Sequence, residues 1–347
     1  MAVNLDLIEK SVEWQHAEFP FSGVMTVREN GEAVFERAYG LANRADELPN
    51  RVDTRFAMAS GSKIFTAVAI CQLVEKGLIG FDSRLKDCLD VSFPHFDPGV
   101  TIEHLLTHTS GIPDYFDEEV EDDYEALWKE RPMYNMRGPR DFLPMFQQGR
   151  MKFSPGERFG YSDGGFVVLG LVIEQHTEMP FVRYVEENVL KRAGMTDSGY
   201  FATDRLPGNT AYNYIDDETG GGWRTNIFAV PVIGEPDGGA FTTAGDMTRF
   251  WSALFENRLL DGRLTAEMIQ PRVKAETEGE NLEYGYGIWC RMSGEEIKSY
   301  YVTGWDPGVA FQSEVFPKER LEINVIGNAN KPTFPMYRAL LRAIGRE

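Results

Sequence analysis

Ser60 and Lys63, in Ser60-Gly61-Ser62-Lys63, are the first residues in this chain whose types and spacing could do chemistry. Residues three apart on a helix share a face, so a hydroxyl at 60 and an amine at 63 can meet. A serine at a helix start also lies in a positive field among unpaired N–H groups. Burial lowers a lysine pKa, and a neutral amine can take the serine proton and so create a nucleophile. The same residues also read as a serine cap beside a surface lysine. A second group, Tyr161-Ser162-Asp163, follows the turn Phe153-Ser154-Pro155-Gly156-Glu157 and precedes an apolar run from Gly164. A loop there can present a phenol and a carboxylate to a cleft, or it can be a helix cap made by Asp163 beside a core tyrosine. The third group is Thr303-Gly304 ahead of Pro307-Gly308. A glycine at a strand edge lets a substrate approach the backbone, although an ordinary turn would have the same text.

These groups need elements to hold them. A helix is expected over Leu5–Phe19. A hairpin then runs through Val24–Val27 and Ala33–Phe35 around Asn30-Gly31, a pair suited to positive φ at both turn positions. Phe65–Lys76 is apolar almost all round and reads as a buried helix that starts near Ser60 and is ended by Gly77. Residues 77–224 read as helical patches between Pro and Gly: Ile102–Leu106, Tyr124–Glu130, Asp141–Gln148, Gly164–His176 and Phe181–Ala193. The acidic run Asp117–Asp123 reads as a solvated loop. Strand patterns return at Tyr284–Met292 and continue to Ile326, and a helix over Thr333–Ile344 closes the chain. The absence of βαβ alternation predicts an α/β protein of the α+β type. Residues 1–76 and 225–347 would form a five-stranded antiparallel sheet flanked by helices. Residues 77–224 would form a mostly helical insert, with the active site in the cleft between the two regions.

Composition removes several function classes. Of 347 residues, 54 are acidic and 35 basic, a formal charge of −19, which repels phosphate backbones and anionic membranes. Neither nucleic acid nor a membrane is therefore an expected partner. No apolar leader follows the charged start, which gives an expected cytoplasmic location. Cys71, Cys88 and Cys290 are few and far apart, as reduced thiols would be. His104 and His108 stand four apart, but Leu105 occupies the place of the glutamate in a zinc-binding HExxH pattern, so no metal and no cofactor are expected. Gly160-Tyr161-Ser162-Asp163-Gly164 spells a nucleophile-elbow pattern, which needs a strand directly before it, whereas a Ser-Pro-Gly-Glu turn precedes. Tyr212, Tyr214, Trp223 and Phe228, near Gly220-Gly221-Gly222, read either as the lining of a substrate pocket, the reading favoured here, or as interface or core aromatics.

Taken in order, these groups resemble the penicillin-recognising serine hydrolases: class C beta-lactamases, DD-peptidases and related esterases. Met58–Ala67 looks like the nucleophile helix of that family. Leu105-Leu106-Thr107-His108-Thr109-Ser110-Gly111, Phe153-Ser154-Pro155-Gly156 leading to Tyr161-Ser162, and Gly238-Gly239 with Thr242-Thr243-Ala244 are similar to its other phrases. The resemblance implies Ser60 as nucleophile, Lys63 as its proton partner and Tyr161 as a second acid/base. It also implies an oxyanion hole from the Ser60 and Trp305 N–H groups, with Asp163, Thr303 and Gly304 beside the substrate. The partner it implies is a small-molecule or short-peptide acyl substrate.

Two positions depart from the family pattern. Asp163 stands where the family commonly has Asn. At about 4 Å and an effective dielectric near 20, an Asp–Lys contact is worth roughly 4 kcal/mol, or about 3 pKa units toward the ammonium. Lys63 is therefore expected to rest protonated, which gives Tyr161 the larger part in activating Ser60. Val302 stands where the family has Lys or His for a substrate carboxylate. The implied activity is on uncharged acyl esters or amides, as an esterase or peptidase rather than an efficient beta-lactamase. The alternative is a catalytically silent relative with a binding or assembly role.

Overall fold

The computed structural model describes residues 4–217, 221–277, 280–329 and 333–346. The hairpin joins β1 (Gly23–Glu29) and β2 (Glu32–Tyr39), and Asn30 and Gly31 take φ values of +54° and +83° at its turn. The C-terminal strands are β3 (Val273–Thr277), β4 (Glu280–Tyr284), β5 (Trp289–Ser293), β6 (Glu296–Asp306), β7 (Val309–Phe316) and β8 (Leu321–Gly327). All eight form one antiparallel sheet in the order β2-β1-β8-β7-β6-β5-β4-β3. The expected five-stranded sheet thus has eight strands. The run read as one strand, Tyr284–Met292, folds back at Gly287 (φ +68°) into two. Val273–Thr277, with only two apolar residues, carries too weak an alternation to be read as the edge strand it forms.

Strand alternation gives the sheet two apolar faces. Met25, Val27, Ile323 and Val325 pack on one face with α1 (Leu5–Glu18) and the closing helix Thr333–Ala343, through Ile8, Val12, Met336 and Leu340. Val24, Phe311, Val315 and Ile326 join the larger core on the other face. That core surrounds α2 (Lys63–Glu75), in which residues 63–73 are all buried. Gly77 closes α2 at φ +67°, and the Leu78 N–H bonds the Leu73 carbonyl at 3.0 Å.

Between the two sheet-forming ends lie α3 (Ile102–Leu106), several short turns, and α4 (Asp163–Thr177). The expected helix Phe181–Ala193 is present, with a π-helical turn over Glu186–Leu190. Tyr124–Glu130 is a 3₁₀ turn running into one α-helical turn. Among the described residues, no helix is long and apolar enough to cross a membrane.

Candidate active site

Ser60 sits on strained backbone. Ala59 has φ +46°, a left-handed conformation that a Cβ disfavours and that persists only where the surroundings over-determine it. Three backbone bonds do so. Met58 N–H donates to Ala240 O at 2.8 Å, Gly61 N–H to Met58 O at 2.9 Å, and Gly239 N–H to Ala59 O at 3.1 Å. Strand β6 closes from the other side. A Cβ on Gly304 would stand 2.0 Å from the Met58 oxygen and 2.9 Å from the Ser60 nitrogen. Only glycine lets the strand and the turn touch here. The 3₁₀ turn Ala59–Ser62 then leads into α2, and the i, i+3 spacing brings Lys63 Nζ to 3.0 Å from Ser60 Oγ.

Lys63 is among the largest fully buried side chains of the protein. Its ammonium also donates to Asp163 Oδ1 and to the Asp237 carbonyl, each at 2.5 Å. Burial alone would push its pKa down. Asp163, then Tyr161 and Asp237, outweigh burial and hold Lys63 well above its ordinary value. Lys63 is thus a fixed cation and hydrogen-bond donor rather than a resting base. Its nitrogen lies 5.0 Å from the centre of the Tyr161 ring. Burial pushes the Tyr161 phenol up, and Lys63 pulls it part of the way back.

The Tyr161 loop is stitched to the Leu105–Gly111 segment. Gly156 N–H bonds Thr109 O and Gly160 N–H bonds His108 O, both at 2.8 Å. Ser162 N–H donates to His108 Nδ1 at 3.1 Å, which leaves the ring proton on Nε2. His108, itself at φ +56°, is held well below its ordinary pKa by burial and then by Lys63. Its ring lies against Tyr161 at 4.3 Å. His104 Nδ1 accepts from the Thr101 N–H in a helix cap. Both histidines therefore serve backbone hydrogen bonds. Ser162 is buried and caps α4, its oxygen accepting from Gly165 N–H at 3.0 Å. An extended loop rather than a strand precedes it, so the elbow geometry is absent. The cap expected at Asp163 falls one residue earlier, which turns the Asp163 carboxylate toward Lys63.

Two cavities meet at Ser60, Tyr124, Asp163 and Asp306. The outer one is open, about 550 Å³, with Phe116, Phe159, Trp289 and Trp305 on its walls beside Thr303 and Gly304. The inner one is a chamber of about 50 Å³ that also includes Tyr115, Asn213, Glu235 and Asp237. Glu118, Glu121 and Asp122 line the outer pocket, so the acidic run expected to be a solvated loop is the lip of the site. Lys152 and Arg158 hold two more of its acids, Asp117 and Glu119, each at 2.6 Å. The run is an exposed loop as read, with Glu118 to Asp123 all exposed; its place at the pocket mouth is what composition did not show.

The aromatic set Tyr212, Tyr214, Trp223 and Phe228 lines neither cavity. Tyr214 is buried instead between Arg44 and Trp223, with its backbone N–H tied to Asn328 O at 2.9 Å. Gly220 lies outside the described residues. Val302 is buried in the core and does not reach the pocket. Sequence reasoning also passed over Asp237 and Asp306, although each adjoins a phrase it had singled out.

A family model described as Beta-lactamase matches residues 18–345. A solved penicillin-binding protein from Bacillus halodurans is 46% identical, with 98% of this chain and 99% of that chain covered at a TM-score of 0.90. Penicillin-binding protein 4* of Bacillus subtilis is 27% identical over 336 residues, which is 93% of this chain and 71% of that protein. Esterase EstB of Burkholderia gladioli is 33% identical over 202 residues, which is 56% of this chain and 50% of that protein.

Proposed function

This chain belongs to the beta-lactamase family and is a serine hydrolase; we propose that it works through an acyl-enzyme on Ser60, acting as an esterase or peptidase on small acyl substrates. The observation that supports this reading is the convergence of Ser60, Lys63 and Asp163 at hydrogen-bonding distance, with Tyr161 alongside, at an open pocket. The site would occupy the cleft between the region of residues 1–76 and 225–347 and the insert of residues 77–224.

The Lys63 cation lowers the cost of the Tyr161 phenolate, and that phenolate takes the Ser60 proton as Oγ attacks the substrate carbonyl carbon. The Ser60 and Trp305 N–H groups receive the developing oxyanion. The C–O or C–N bond then breaks, and Tyr161 returns the proton to the leaving oxygen or nitrogen. In the second half a water gives its proton to Tyr161, its oxygen attacks the acyl carbon, and Ser60 leaves with that proton. One water is consumed, and an acid and an alcohol or amine are released. Thr303 and Gly304 would flank the bound acyl group along the edge of β6.

A cationic subsite for a substrate carboxylate is not built here. Position 302 is a buried valine, and neither Lys nor Arg lines the two cavities among the described residues. A cephalosporin should therefore be turned over far more slowly than a simple nitrophenyl ester. A fluorescent phosphonate should label the protein, with the adduct on Ser60 by mass spectrometry. No labelling, or an adduct on Ser162, would sink this reading and favour a silent binding protein or a different nucleophile.

A further inference from the structure

The inner chamber holds more carboxylate than acyl transfer through Ser60 uses. Glu235 is 2% exposed and Asp237 6% exposed. Both Glu235 carboxylate oxygens and Asp237 Oδ1 are buried without a hydrogen-bond partner among the described residues, as is Asn213 Oδ1. Asp237 Oδ2 accepts from the Tyr115 hydroxyl at 2.5 Å. Buried acceptors are normally paired, so this group lacks a donor, and a positively charged one suits it best. The acceptors are held rigidly. Glu235 and Gly238 bond each other through both backbone groups, at 2.7 and 3.1 Å, and the same turn is tied to Ala59 through Gly239. Lys63 is already committed to Ser60, Asp163 and the Asp237 carbonyl.

We propose that this chamber is a subsite for a protonated amine on the acyl side of the substrate, so that the enzyme cleaves small aminoacyl esters and amides. The ammonium would sit on Glu235 and Asp237, the carbonyl carbon at Ser60, and the leaving group in the open aromatic pocket. Ser60 belongs to both cavities, which is the geometry such a substrate needs. About 50 Å³ admits an ammonium and a carbon or two but no large side chain. Among the described residues, no group of three or more His, Cys, Asp or Glu is placed to hold a metal ion. That leaves a group with several N–H donors as the better complement. Burial, then Asp237, pushes Glu235 up, and burial, then Asp163, pushes Asp237 to about 6. A bound cation relieves both. The sequence alone led to uncharged substrates, because it showed the missing cation at 302 and not the acids converging behind Ser60.

The amine preference rests on the serine-hydrolase reading for turnover but not for binding, so the test separates them. Ser60→Ala protein is titrated calorimetrically at pH 7 with alanine 4-nitroanilide, propionyl 4-nitroanilide and 3-carboxypropionyl 4-nitroanilide. The amine should bind at least about tenfold more tightly than its neutral counterpart, and the carboxylate most weakly. Adding Glu235→Gln should reduce the amine-to-neutral ratio about tenfold. Should that double variant fail to fold, the ratio of kcat/KM for the amine and neutral substrates on the unmodified enzyme serves as the second measurement, again expected to be at least about tenfold. Equal binding, or a preference for the neutral compound, overturns the subsite even if Ser60 is labelled by phosphonate. Selective amine binding without labelling leaves the subsite standing and removes the hydrolase reading.

Discussion

The two sides of the outer pocket are held by different forces. On the Ser60 side, backbone hydrogen bonds and a backbone-to-backbone contact at Gly304 set the geometry. On the opposite side, the lip from Asp117 to Asp123 is held by ion pairs to Lys152 and Arg158, with Arg158 also 4.3 Å over the Phe153 ring. Backbone bonds in a buried turn are indifferent to salt and to most pH changes, whereas half-exposed ion pairs are sensitive to both. Ser60 is therefore placed by rigid structure, whereas the lip of its pocket is held by contacts that salt and pH can alter.

The comparison is broken most severely at the nucleophile. Ser60→Ala should lower acylation of a nitrophenyl ester by about a thousandfold or more in a stopped-flow assay. Ser162→Ala should keep acylation and lose only about 1 kcal/mol of stability, the value of a helix cap, read by denaturant unfolding. Retained acylation in the first variant would mean that the rigid side was misidentified.

Gly304→Ala tests whether backbone contact is what holds that side. The added methyl overlaps the Met58 carbonyl and should cost about 1–3 kcal/mol in unfolding free energy, with loss of phosphonate labelling. A variant as stable and as reactive as the parent would show that the strand and turn do not need their close approach.

Asp163→Asn asks how far the lysine depends on the charge across the cleft. Without Asp163 the Lys63 pKa falls, so the basic limb of kcat/KM should move to lower pH by about 1–3 units. A limb that stays in place removes the electrostatic account. The same shift has a stability consequence. The folded Lys63 pKa lies above the ordinary 10.5, so its contribution is fully present below that value and is lost as pH rises through the folded one.

The smallest effect is expected at the lip. Lys152→Ala with Arg158→Ala should raise KM a few-fold, as added salt should for the parent protein, with less than about 1 kcal/mol of stability lost. Glu119 is pulled down to about 2 by its bond to Arg158, then by Lys152. Its share of that stability is present above the ordinary carboxyl value of 4.5 and fades as pH falls toward 2. A lip whose KM ignores salt would have to be held by packing instead.

Much of the cleft was legible before any coordinates. The Asn30-Gly31 turn, the mostly apolar α2 and the Gly77 stop are local patterns with local causes, and each appears as read. Ser60 and Lys63 share one turn of chain, so their meeting needed only helix geometry. Glu235 and Asp237 share one turn while Asp306 ends β6, and neither place carries a periodic signal, so the three were not legible as a group. The acidic run was read correctly as a solvated loop, but its ion pairs to Lys152 and Arg158 and its place at the pocket were not legible, because those partners are distant in sequence. The edge strands were undercounted because β3 is short and has only two apolar residues, too few to set a pattern.

By itself, the sequence determined that an amine follows a hydroxyl by one turn at the start of a buried helix, and that no basic residue stands at 302. Those are statements about neighbours along the chain, where spacing fixes distance. Only the tertiary structure decided that Asp163, 100 positions on, pairs with that amine, and that carboxylate oxygens of Glu235 and Asp237 lie without partners, among the described residues, in a chamber beside the hydroxyl. Contacts between distant segments depend on how whole elements pack, and packing is set by the entire core rather than by any short stretch of residues.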